Sequence, residues 1–326
     1  MQIIITGVAG FIGSHVAHIL LAEGHKIIGI DNLNDYYDRQ LKLDRQRNLE
    51  LNPHFEFIEG DIAELVTFNK IKNQSEIKVI IHLAAQAGVR YSITNPLEYA
   101  HSNLIGHLTV LEFARSLKTD PLLIYASSSS VYGNSSTAPF AEASALNRPV
   151  SLYAATKLAD EMMSYAYAHL YGLRQIGLRF FTVYGPWGRP DMAYWGFSEA
   201  ILAGQPIQVF NHGDMMRDFT YIDDIVEGIK RIATREPDFE GLEAPHKIYN
   251  IGNNHPVKLL EFIAALECAL GKTAQMEYLP MQAGDVYETS ADITALQRDY
   301  GFAPNTPLAT GLQKFADWFL AWRQSH

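Results

Sequence analysis

The chain is poor in cysteine, and this scarcity limits its chemistry. Cys268 is the one cysteine among 326 residues, so an internal disulfide framework is excluded and a reducing compartment is favoured. The CxxC and HExxH patterns typical of zinc sites are absent from the sequence. We therefore expect no structural metal.

Basic residues are also in short supply. Lys and Arg number 26 against 36 Asp and Glu, which gives a formal net charge of -10. No run dense in Lys or Arg offsets this balance locally, so a nucleic-acid-binding protein is disfavoured. An anionic ligand would need a few individually placed arginines.

Long hydrophobic runs are missing as well. No segment approaches about 18 uninterrupted apolar residues, and the chain starts with a strand-like run rather than a basic stretch and an apolar leader. We expect a soluble, cytoplasmic protein that does not enter the membrane. With 48% hydrophobic and 19% charged residues, the composition is that of a globular protein with one large or two moderate domains.

A glycine turn follows the first apolar run. Residues 3–5 are isoleucines typical of a buried parallel strand, and Gly7, Gly10 and Gly13 follow at G-x-x-G-x-x-G spacing before an apolar-periodic segment. Glycines so placed permit a tight turn and a close approach of the backbone to a pyrophosphate at a helix N-terminus. The triplet alone is unspecific, because turns often need glycine for other reasons.

An acidic residue at the end of the second predicted strand strengthens the glycine signal. The strand at 26–30 ends at Asp31, about twenty residues after the turn. A carboxylate there would accept hydrogen bonds from the adenosine ribose hydroxyls and would repel a 2′-phosphate. We therefore expect NAD rather than NADP as the ligand.

Alternating strands and helices continue the pattern and predict an α/β fold with a doubly wound parallel (Rossmann) sheet. The further predicted elements are strands at 55–59, 79–83, 122–126, 175–181 and 247–251 and helices near 62–75, 97–117 and 153–171. Ligands bind at the carboxyl ends of such strands, which places Asp61, residues 83–85 and residues 127–130 around a cofactor crevice. Asp61 could equally cap a helix. The charged, tyrosine-rich segment at 32–50 is interpreted as a surface loop and helix.

Tyr153 and Lys157 lie four residues apart in a predicted helix, so their side chains project from one face. An ammonium near a phenol favours the phenolate, which would make Tyr153 a usable general base. The pair alone is weak evidence, because a lysine often extends past an aromatic ring without any catalytic role. Other signals must support the assignment.

Several motifs together resemble the extended short-chain dehydrogenase/reductase family, in its NAD-dependent nucleotide-sugar epimerase and dehydratase group. The matching features are the glycine turn, His82-Leu83-Ala84-Ala85, Ser127-Ser128 before Val131-Tyr132-Gly133, Tyr153 with Lys157, and Arg217-Asp218-Phe219. Within this group, four further segments are similar to those of UDP-glucuronate 4-epimerases: residues 86–90, 151–157, 188–192 and 211–215. The resemblance extends over essentially the whole chain.

This resemblance implies an architecture and a reaction. A Rossmann domain at 1–183, to which 219–253 return, would bind NAD, and a smaller C-terminal α/β lobe of 184–218 and 254–326 would bind the nucleotide sugar. The implied reaction is the reversible C4 epimerisation of UDP-glucuronate to UDP-galacturonate through a transient 4-keto sugar, with bound NAD regenerated in each cycle. Relatives are dimers paired through two helices, so we expect a homodimer.

The resemblance also implies roles for individual residues. Tyr153 takes the proton from the sugar 4-hydroxyl, Ser128 relays it, and Lys157 holds the nicotinamide ribose. The residues expected to contact NAD are Gly7, Gly10, Phe11, Ile12, Gly13, Asp31, Asn32, Asp61, Ile62, Leu83, Ala84, Ala85, Tyr153, Lys157 and Phe180. The residues expected to contact the nucleotide sugar are Arg90, Ser128, Ser129, Ser130, Thr182, Arg189, Arg217 and Asp285.

Ser129 and Ser130 bear on which reaction follows oxidation. Related 4,6-dehydratases have an Asp-Glu pair at these positions and related uronate decarboxylases have a glutamate at the second, so both reactions are disfavoured here. A 4-keto uronate is a β-keto acid, which loses carbon dioxide when its carboxylate bond aligns with the carbonyl. We expect Ser129, Ser130, Thr182 and Arg189 to hold that carboxylate out of alignment as a uronate clamp.

Simpler alternatives exist for the proposed sugar ligands. The serines could only shape a loop, and Arg189 could pair with Asp191. Arg217, the expected diphosphate anchor, could instead pair with Asp218 or Asp224.

A second family arginine is replaced by Gln282, which leaves Arg90 as a candidate ligand of a phosphate or a carboxylate. Asp285 could bind ribose or cap a turn. For the whole chain, the alternative functions are a UDP-glucose-type 4-epimerase, a UDP-glucuronate decarboxylase, and an NAD-sensing or scaffold protein without catalysis.

Overall fold

The computed structural model describes residues 1–134, 138–144, 146, 148–281 and 287–325. The chain divides into two compact units. Unit 1 comprises Met1–Ser135, Ala145–Phe180 and Val226–Tyr249, and unit 2 comprises Ser136–Ser144, Phe181–Ile225 and Asn250–His326.

Strands and helices alternate along most of the described chain. The strands are β1 (Gln2–Thr6), β2 (Lys26–Asp31), β3 (Phe55–Glu59), β4 (Ile77–His82), β5 (Leu122–Ser128), β6 (Gln175–Phe180), β7 (Thr182–Tyr184), β8 (Pro206–Val209), β9 (Met216–Tyr221), β10 (His246–Ile251), β11 (Pro256–Lys258) and β12 (Gln275–Tyr278). The α-helices are α1 (Phe11–Ala22), α2 (Arg39–Glu50), α3 (Leu65–Asn69), α4 (Tyr91–Thr94), α5 (Pro96–Tyr99), α6 (Gly106–Ser116), α7 (Leu152–Tyr171), α8 (Ala193–Ala203), α9 (Ile222–Thr234), α10 (Leu259–Leu270), α11 (Thr294–Tyr300) and α12 (Leu308–Ser325).

The largest sheet has seven strands in the order β10-β6-β5-β4-β1-β2-β3. The pairings from β3 through β2, β1, β4 and β5 to β6 are all parallel. Strand order reverses direction on either side of β1, which creates the crevice at the carboxyl ends where such sheets bind ligands. The predicted doubly wound parallel sheet is confirmed.

The core of unit 1 explains why the apolar runs form these strands. Ile4 pairs in register with Ile28 on one side and Ile80 on the other, and all three are buried. They belong to one hydrophobic cluster with Val110 and Phe113 of α6. Full burial of such a side chain contributes about 1.5–3 kcal/mol to stability, so the β-branched strands are stabilised chiefly by the helices that cover them.

One predicted helix is largely wrong. Instead of a helix over 62–75, the structure has the short α3 at Leu65–Asn69 and a 3-10 turn at Gln74–Glu76. Asn73 takes a left-handed conformation with φ of +54°, which a right-handed helix cannot continue through. The helix predicted at 97–117 is formed by α5, a π-helical segment at Ala100–Ile105 and α6.

Unit 2 has two small sheets and an aromatic core. The sheets have the orders β11-β9-β7 and β12-β8. Phe219 and Phe262 stack with their ring centroids 4.1 Å apart, and Trp195 of α8 meets Phe319 of α12 edge-on at 5.0 Å. Across the described part of the chain, no helix combines the length and apolar character needed to cross a membrane.

Asp218 joins three backbone segments of unit 2. Its carboxylate is fully buried on β9. It accepts hydrogen bonds from the backbone amides of Asn253 at 2.7 Å, Asn254 at 2.9 Å and Ala291 at 2.9 Å. These bonds are charge-assisted, and the buried Ala291 amide would lose its acceptor without them.

We expect Asp218→Ala to lower the free energy of unfolding by about 3 kcal/mol, because several donors to one buried carboxylate lose their acceptor together. Denaturant unfolding followed by circular dichroism measures this change. Asp218→Asn, which keeps one acceptor oxygen, should lose less. An unfolding midpoint of Asp218→Ala equal to that of the wild type would contradict this role.

Candidate functional site

Close backbone approach requires glycine at two positions of the turn after β1. Gly7 has φ of +70°, and a Cβ there would lie 2.7 Å from the amide nitrogen of Ala84. A Cβ on Gly13 would lie 2.2 Å from the carbonyl oxygen of Gly7. Side chains at these positions would force apart the turn, α1 and the segment after β4.

Helix α1 begins at the glycine turn without a side-chain cap. Its N-cap residue is Gly10, which has no side chain that could accept hydrogen bonds from the first-turn amides. Phe11, in the first turn, is buried, whereas Ile12 is partly exposed. The bare N-terminal turn and the close glycine backbone together fit a pyrophosphate, which would be stabilised by the first amide N–H groups.

Asp31 is fixed at the end of β2 by backbone donors. Its Oδ2 accepts from the Ala9 amide at 3.0 Å, and its Oδ1 accepts from the Leu33 amide at 2.9 Å. Burial raises the pKa of the Asp31 carboxyl, and these hydrogen bonds oppose the shift. Each carboxylate oxygen can accept a second bond, so Asp31 retains the capacity to bind ribose hydroxyls.

Segment 32–50 forms a loop and helix α2, as predicted, but one face of this helix is buried. Lys42 and Arg45, both on α2, are buried. Arg45 donates from Nη1 to the Ala9 carbonyl oxygen at 3.0 Å and to the Tyr37 hydroxyl at 2.7 Å. The segment therefore supports the glycine turn from outside, and sequence reasoning missed Arg45 because its partner is far away in the chain.

Asp61 both caps a turn and contacts a neighbouring candidate. Its Oδ1 accepts from the Ala63 amide at 2.8 Å, and its Oδ2 lies 3.3 Å from Asn32 Nδ2 and 3.3 Å from His101 Nε2. The bond to Ala63 lies in a turn and the N-cap residue of α3 is Glu64, so Asp61 does not cap a helix, and its side chain is partly exposed. Ile62 is buried and belongs to the hydrophobic core of unit 1.

The segment after β4 is attached to the end of β1. Leu83 donates its amide to the Thr6 carbonyl oxygen at 3.2 Å, and Ala84 donates to Thr6 Oγ1 at 3.2 Å. Leu83, Ala84 and Ala85 are partly exposed, and Arg90 is exposed where α4 begins. The first three thus lie beside the glycine turn, as predicted for residues near a cofactor.

Ser128 has a fixed orientation at the carboxyl end of β5. Its Oγ accepts from the Ser130 amide at 3.2 Å and donates to Ser130 Oγ at 3.2 Å. It pairs with Phe180 in the register of β5 and β6. Ser129 and Ser130 follow in a 3-10 turn and are partly exposed.

Tyr153 lies in the first turn of α7. Ser151 caps this helix by accepting the Ala154 amide at 3.1 Å, the arrangement that favours serine at a helix start. The Tyr153 ring is partly exposed and meets the Tyr99 ring edge-on at 6.0 Å. The cap therefore sets where α7 begins and where the phenol is placed.

Lys157 is buried one turn further along α7, with its side chain only 4% exposed. Its Nζ donates to the Ala126 carbonyl oxygen at 3.0 Å and to Asp160 Oδ2 at 3.1 Å. Asp160 was not predicted, although it lies three residues from Lys157 and such pairs share a helix face.

Asn103 connects α7 to the segment after β4. Its Oδ1 accepts the Gln86 amide at 2.8 Å, and its Nδ2 donates to the Gln86 carbonyl oxygen at 3.1 Å and to Thr156 Oγ1 at 2.9 Å. Asn103 is buried within the π-helical segment. Sequence reasoning missed this role, because Gln86 and Thr156 lie 17 and 53 residues away in the chain.

A buried ion pair holds α7 against β5 and β6. Arg179 donates from Nε to Glu161 Oε1 at 2.9 Å and from Nη2 to Glu161 Oε2 at 2.8 Å. Ser127 Oγ donates to Glu161 Oε1 at 2.5 Å, and Arg179 Nη1 donates to the Tyr132 hydroxyl at 2.9 Å. Sequence reasoning missed Glu161 and Arg179, whereas it named Ser127 and Tyr132 only as parts of motifs and not as partners of an ion pair.

Two candidates in unit 2 are placed as follows. Thr182 is partly exposed on β7, where it pairs with Phe219 of β9. Arg189 forms a bidentate ion pair with Asp191, donating from Nε to Oδ1 at 2.9 Å and from Nη2 to Oδ2 at 2.6 Å. The simpler alternative for Arg189 is therefore present in the structure.

The remaining candidates of unit 2 are only partly described. Arg217 donates from Nη1 to the carbonyl oxygens of Met216 at 2.9 Å and Tyr287 at 3.0 Å. Gln282 and Asp285 lie outside the described residues. Among the residues that are described, no group of three or more His, Cys, Asp or Glu side chains could hold a metal ion.

Comparisons with known proteins agree on one family. The NAD dependent epimerase/dehydratase family matches residues 3–252. UDP-glucuronate 4-epimerase 2 of Arabidopsis thaliana is 44% identical over 99% of this chain and 76% of its own length.

Solved structures show the same likeness. The UDP-glucuronic acid 4-epimerase of Bacillus cereus, in complex with UDP-glucuronic acid and NAD, is 33% identical with a TM-score of 0.90, over 99% of this chain and 100% of that one. The UDP-glucose 4-epimerase of Thermotoga maritima with UDP-glucose is 29% identical with a TM-score of 0.87, again over 99% and 100% of the two chains.

Proposed function

This chain belongs to the NAD-dependent epimerase/dehydratase family, and we propose that it is a UDP-glucuronate 4-epimerase that interconverts UDP-glucuronate and UDP-galacturonate. One observation carries the assignment: almost the whole chain is similar, in sequence and in fold, to enzymes with this activity. The enzyme is an NAD-dependent nucleotide-sugar 4-epimerase. Ser128, Tyr153 and Lys157 are all present, which argues against an NAD-sensing or scaffold protein without catalysis.

The residues of unit 1 fit NAD. Gly7 and Gly13 let the turn pack tightly at the start of α1, where the helix amides would bind the pyrophosphate, and Asp31 would bind the adenosine ribose. Lys157 would hold the nicotinamide ribose. The other proposed contacts are Gly10, Phe11, Ile12, Asn32, Asp61, Ile62, Leu83, Ala84, Ala85, Tyr153 and Phe180.

Proton transfer at C4 is assigned to side chains of unit 1. When bound, NAD supplies a reversible hydride acceptor. Tyr153 takes the proton of the sugar 4-hydroxyl as that carbon is oxidised, with Ser128 as the relay. After the 4-keto sugar has turned over in the pocket, the hydride would return to the opposite face of C4 and Tyr153 would give a proton back to the C4 oxygen, which completes the epimerisation. Lys157, fixed by the Ala126 carbonyl and Asp160, would hold its ammonium group near the phenol.

The substrate carboxylate is assigned to Ser129, Ser130, Thr182 and Arg189. The serines and Thr182 are partly exposed residues with small hydroxyls. Asp191 already binds the Arg189 guanidinium through two nitrogens, the geometry that a uronate carboxylate would use. A uronate would share or replace Asp191 at this guanidinium.

Three other contacts complete the proposed substrate set. Arg217 would anchor the diphosphate, Arg90 would bind a phosphate or the carboxylate, and Asp285 would bind the uridine ribose. A UDP-glucose-type 4-epimerase is the second candidate function. The Arg189–Asp191 pair favours it, because an arginine already neutralised by a carboxylate needs no charge from the sugar.

We further propose a cytoplasmic homodimer. Exposed apolar side chains are concentrated on the helices between residues 91 and 116 and on α7; they include Ile93, Leu97, Ile105, Leu108, Met162, Tyr165 and Leu170. A second copy of the chain would cover such a surface through two helices of each subunit. The cytoplasm suits Cys268, which is exposed and unpaired.

Purified protein is expected to convert UDP-glucuronate to UDP-galacturonate, and Tyr153→Phe to be slower by a factor of about 100 or more because it lacks the base. Chromatography and NMR identify the products. A pentose nucleotide with released carbon dioxide would identify a decarboxylase instead. Binding of NAD without binding or turnover of any sugar nucleotide would favour the scaffold alternative.

Arg189→Ala should raise KM for UDP-glucuronate by about tenfold or more, because a charge-assisted pair is lost. Activity with UDP-glucose should be unaffected, and Asp191→Asn should lower KM for UDP-glucuronate by removing the competing carboxylate. Steady-state kinetics with both substrates measures the preference. An unchanged preference in Arg189→Ala would exclude the clamp.

Combined Leu97→Glu and Met162→Glu substitutions should give a monomer, because two buried like charges per subunit would oppose the proposed helix pairing. Light scattering after size exclusion measures the mass. Leu65→Glu, at a leucine of α3 that is about as exposed as Met162 (58% against 60%), is the control and should stay dimeric. A monomeric wild-type chain would refute the pairing.

A further inference from the structure

Asp160 is a buried carboxylate directly beside the lysine assigned to the nicotinamide ribose. Its side chain is 1% exposed, and its Oδ2 lies 3.1 Å from Lys157 Nζ. Two acceptors, Asp160 and the Ala126 carbonyl oxygen, engage this ammonium among the described residues. Because an ammonium has three N–H donors, one is left for a ligand.

The other oxygen of Asp160 has no partner. Asp160 Oδ1 is buried and makes no hydrogen bond within the described part of the chain. Burial raises the pKa of Asp160 to about 6, although the Lys157 ammonium opposes the shift. Leaving an acceptor unsatisfied is unfavourable for folding, so a purely structural carboxylate would be poorly placed here.

The groups around Asp160 leave Lys157 as its main electrostatic partner. The titratable and charged side chains that interact with Asp160 are Lys157 and Glu161 of α7, His107 of α6 and Tyr125 of β5. These neighbours interact in turn with His82 of β4, Arg179 of β6 and His246 of β10. Burial lowers the pKa of His82 to about 3, that of His246 to about 4 and that of His107 well below its usual range.

The remaining neighbours do not supply a free charge either. Burial raises the pKa of Tyr125 well above its usual range, so this phenol is neutral. Glu161 is bound by Arg179 through two nitrogens. A change of charge at Asp160 is therefore transmitted mainly to Lys157.

We infer that Asp160 is a positioning residue that fixes the Lys157 ammonium for the cofactor and partly offsets its positive charge beside Tyr153. The inference rests on the proposed function, since that function gives Lys157 and Tyr153 their roles. It has two separable parts. Positioning needs only an acceptor on Asp160, whereas the offset of charge needs the carboxylate.

Two substitutions separate these parts. Asp160→Asn keeps an acceptor oxygen for Lys157 but removes the negative charge, and Asp160→Ala removes both. Ser164→Ala is the matched control, because Ser164 is buried on the same helix and bonds His107 at 2.8 Å. It has no assigned part in catalysis or cofactor binding.

The measurements are the dissociation constant of NAD on nucleotide-stripped protein and the pH dependence of kcat for epimerisation. Asp160→Ala should bind NAD about fivefold or more weakly, and Asp160→Asn within about twofold of the wild type. In Asp160→Asn the acidic limb of the kcat–pH profile should move to lower pH by about half a unit or more. The reason is that the Lys157 ammonium, without a carboxylate beside it, favours the phenolate of Tyr153 more strongly. Ser164→Ala should change neither quantity.

Each outcome decides the inference. If both Asp160 variants lose stability but match the wild type in NAD affinity and in pH dependence, Asp160 is only structural and the inference is wrong. If Asp160→Ala does not fold, the pH limb of Asp160→Asn decides. If the wild type binds NAD but does not epimerise a sugar nucleotide, the proposed function fails, and the NAD affinities still judge whether Asp160 positions Lys157.

Discussion

Helix α7 places three ionisable side chains, Lys157, Asp160 and Glu161, in the interior of unit 1, where each needs an oppositely charged partner. Lys157 and Asp160 pair with each other. The third, Glu161, is held by Arg179, and this pair also binds Ser127 and Tyr132 on either side of the turn that presents Ser128. The helix that bears the proposed base and the strand that bears the relay serine are therefore positioned by the same buried ion pair.

The amino-acid sequence alone was enough to predict the features that depend on local residue patterns. The predicted family, the doubly wound sheet, the NAD dependence and the enzyme class are all confirmed, because apolar strand runs and motif spacing are short-range features. The helix predicted at 62–75 fails because only residues 65–69 form α-helix; α3 has already ended before Asn73, whose left-handed conformation a longer helix could not include. Arg45 was missed because its partner Ala9 is 36 residues away, and no periodicity encodes such a contact. Asp160 could have been found from its helical spacing to the lysine. The individual site residues stay predictions, because only ligand binding or kinetics tests them.

Retention of the carboxylate is the chemical problem that separates this proposed reaction from its alternatives. Small hydroxyls stand where related decarboxylases and dehydratases have acids, so neither loss of water nor loss of carbon dioxide has an evident catalyst. Arg189 is bound by Asp191 through two nitrogens, and this pairing was foreseen as the simpler alternative. The two interpretations can be reconciled if Asp191 occupies the guanidinium until a uronate replaces it. The positive charge then remains compensated in both states.

The proposed epimerisation requires oxidation and re-reduction at C4 of the sugar. Incubation of the enzyme with UDP-glucuronate deuterated at C4, followed by mass spectrometry and NMR of the product, tests this directly. We predict UDP-galacturonate that retains deuterium at C4, with no release of label to water and no carbon dioxide. Replacement of the C4 deuterium by solvent hydrogen, or a pentose nucleotide as the product, would contradict the account.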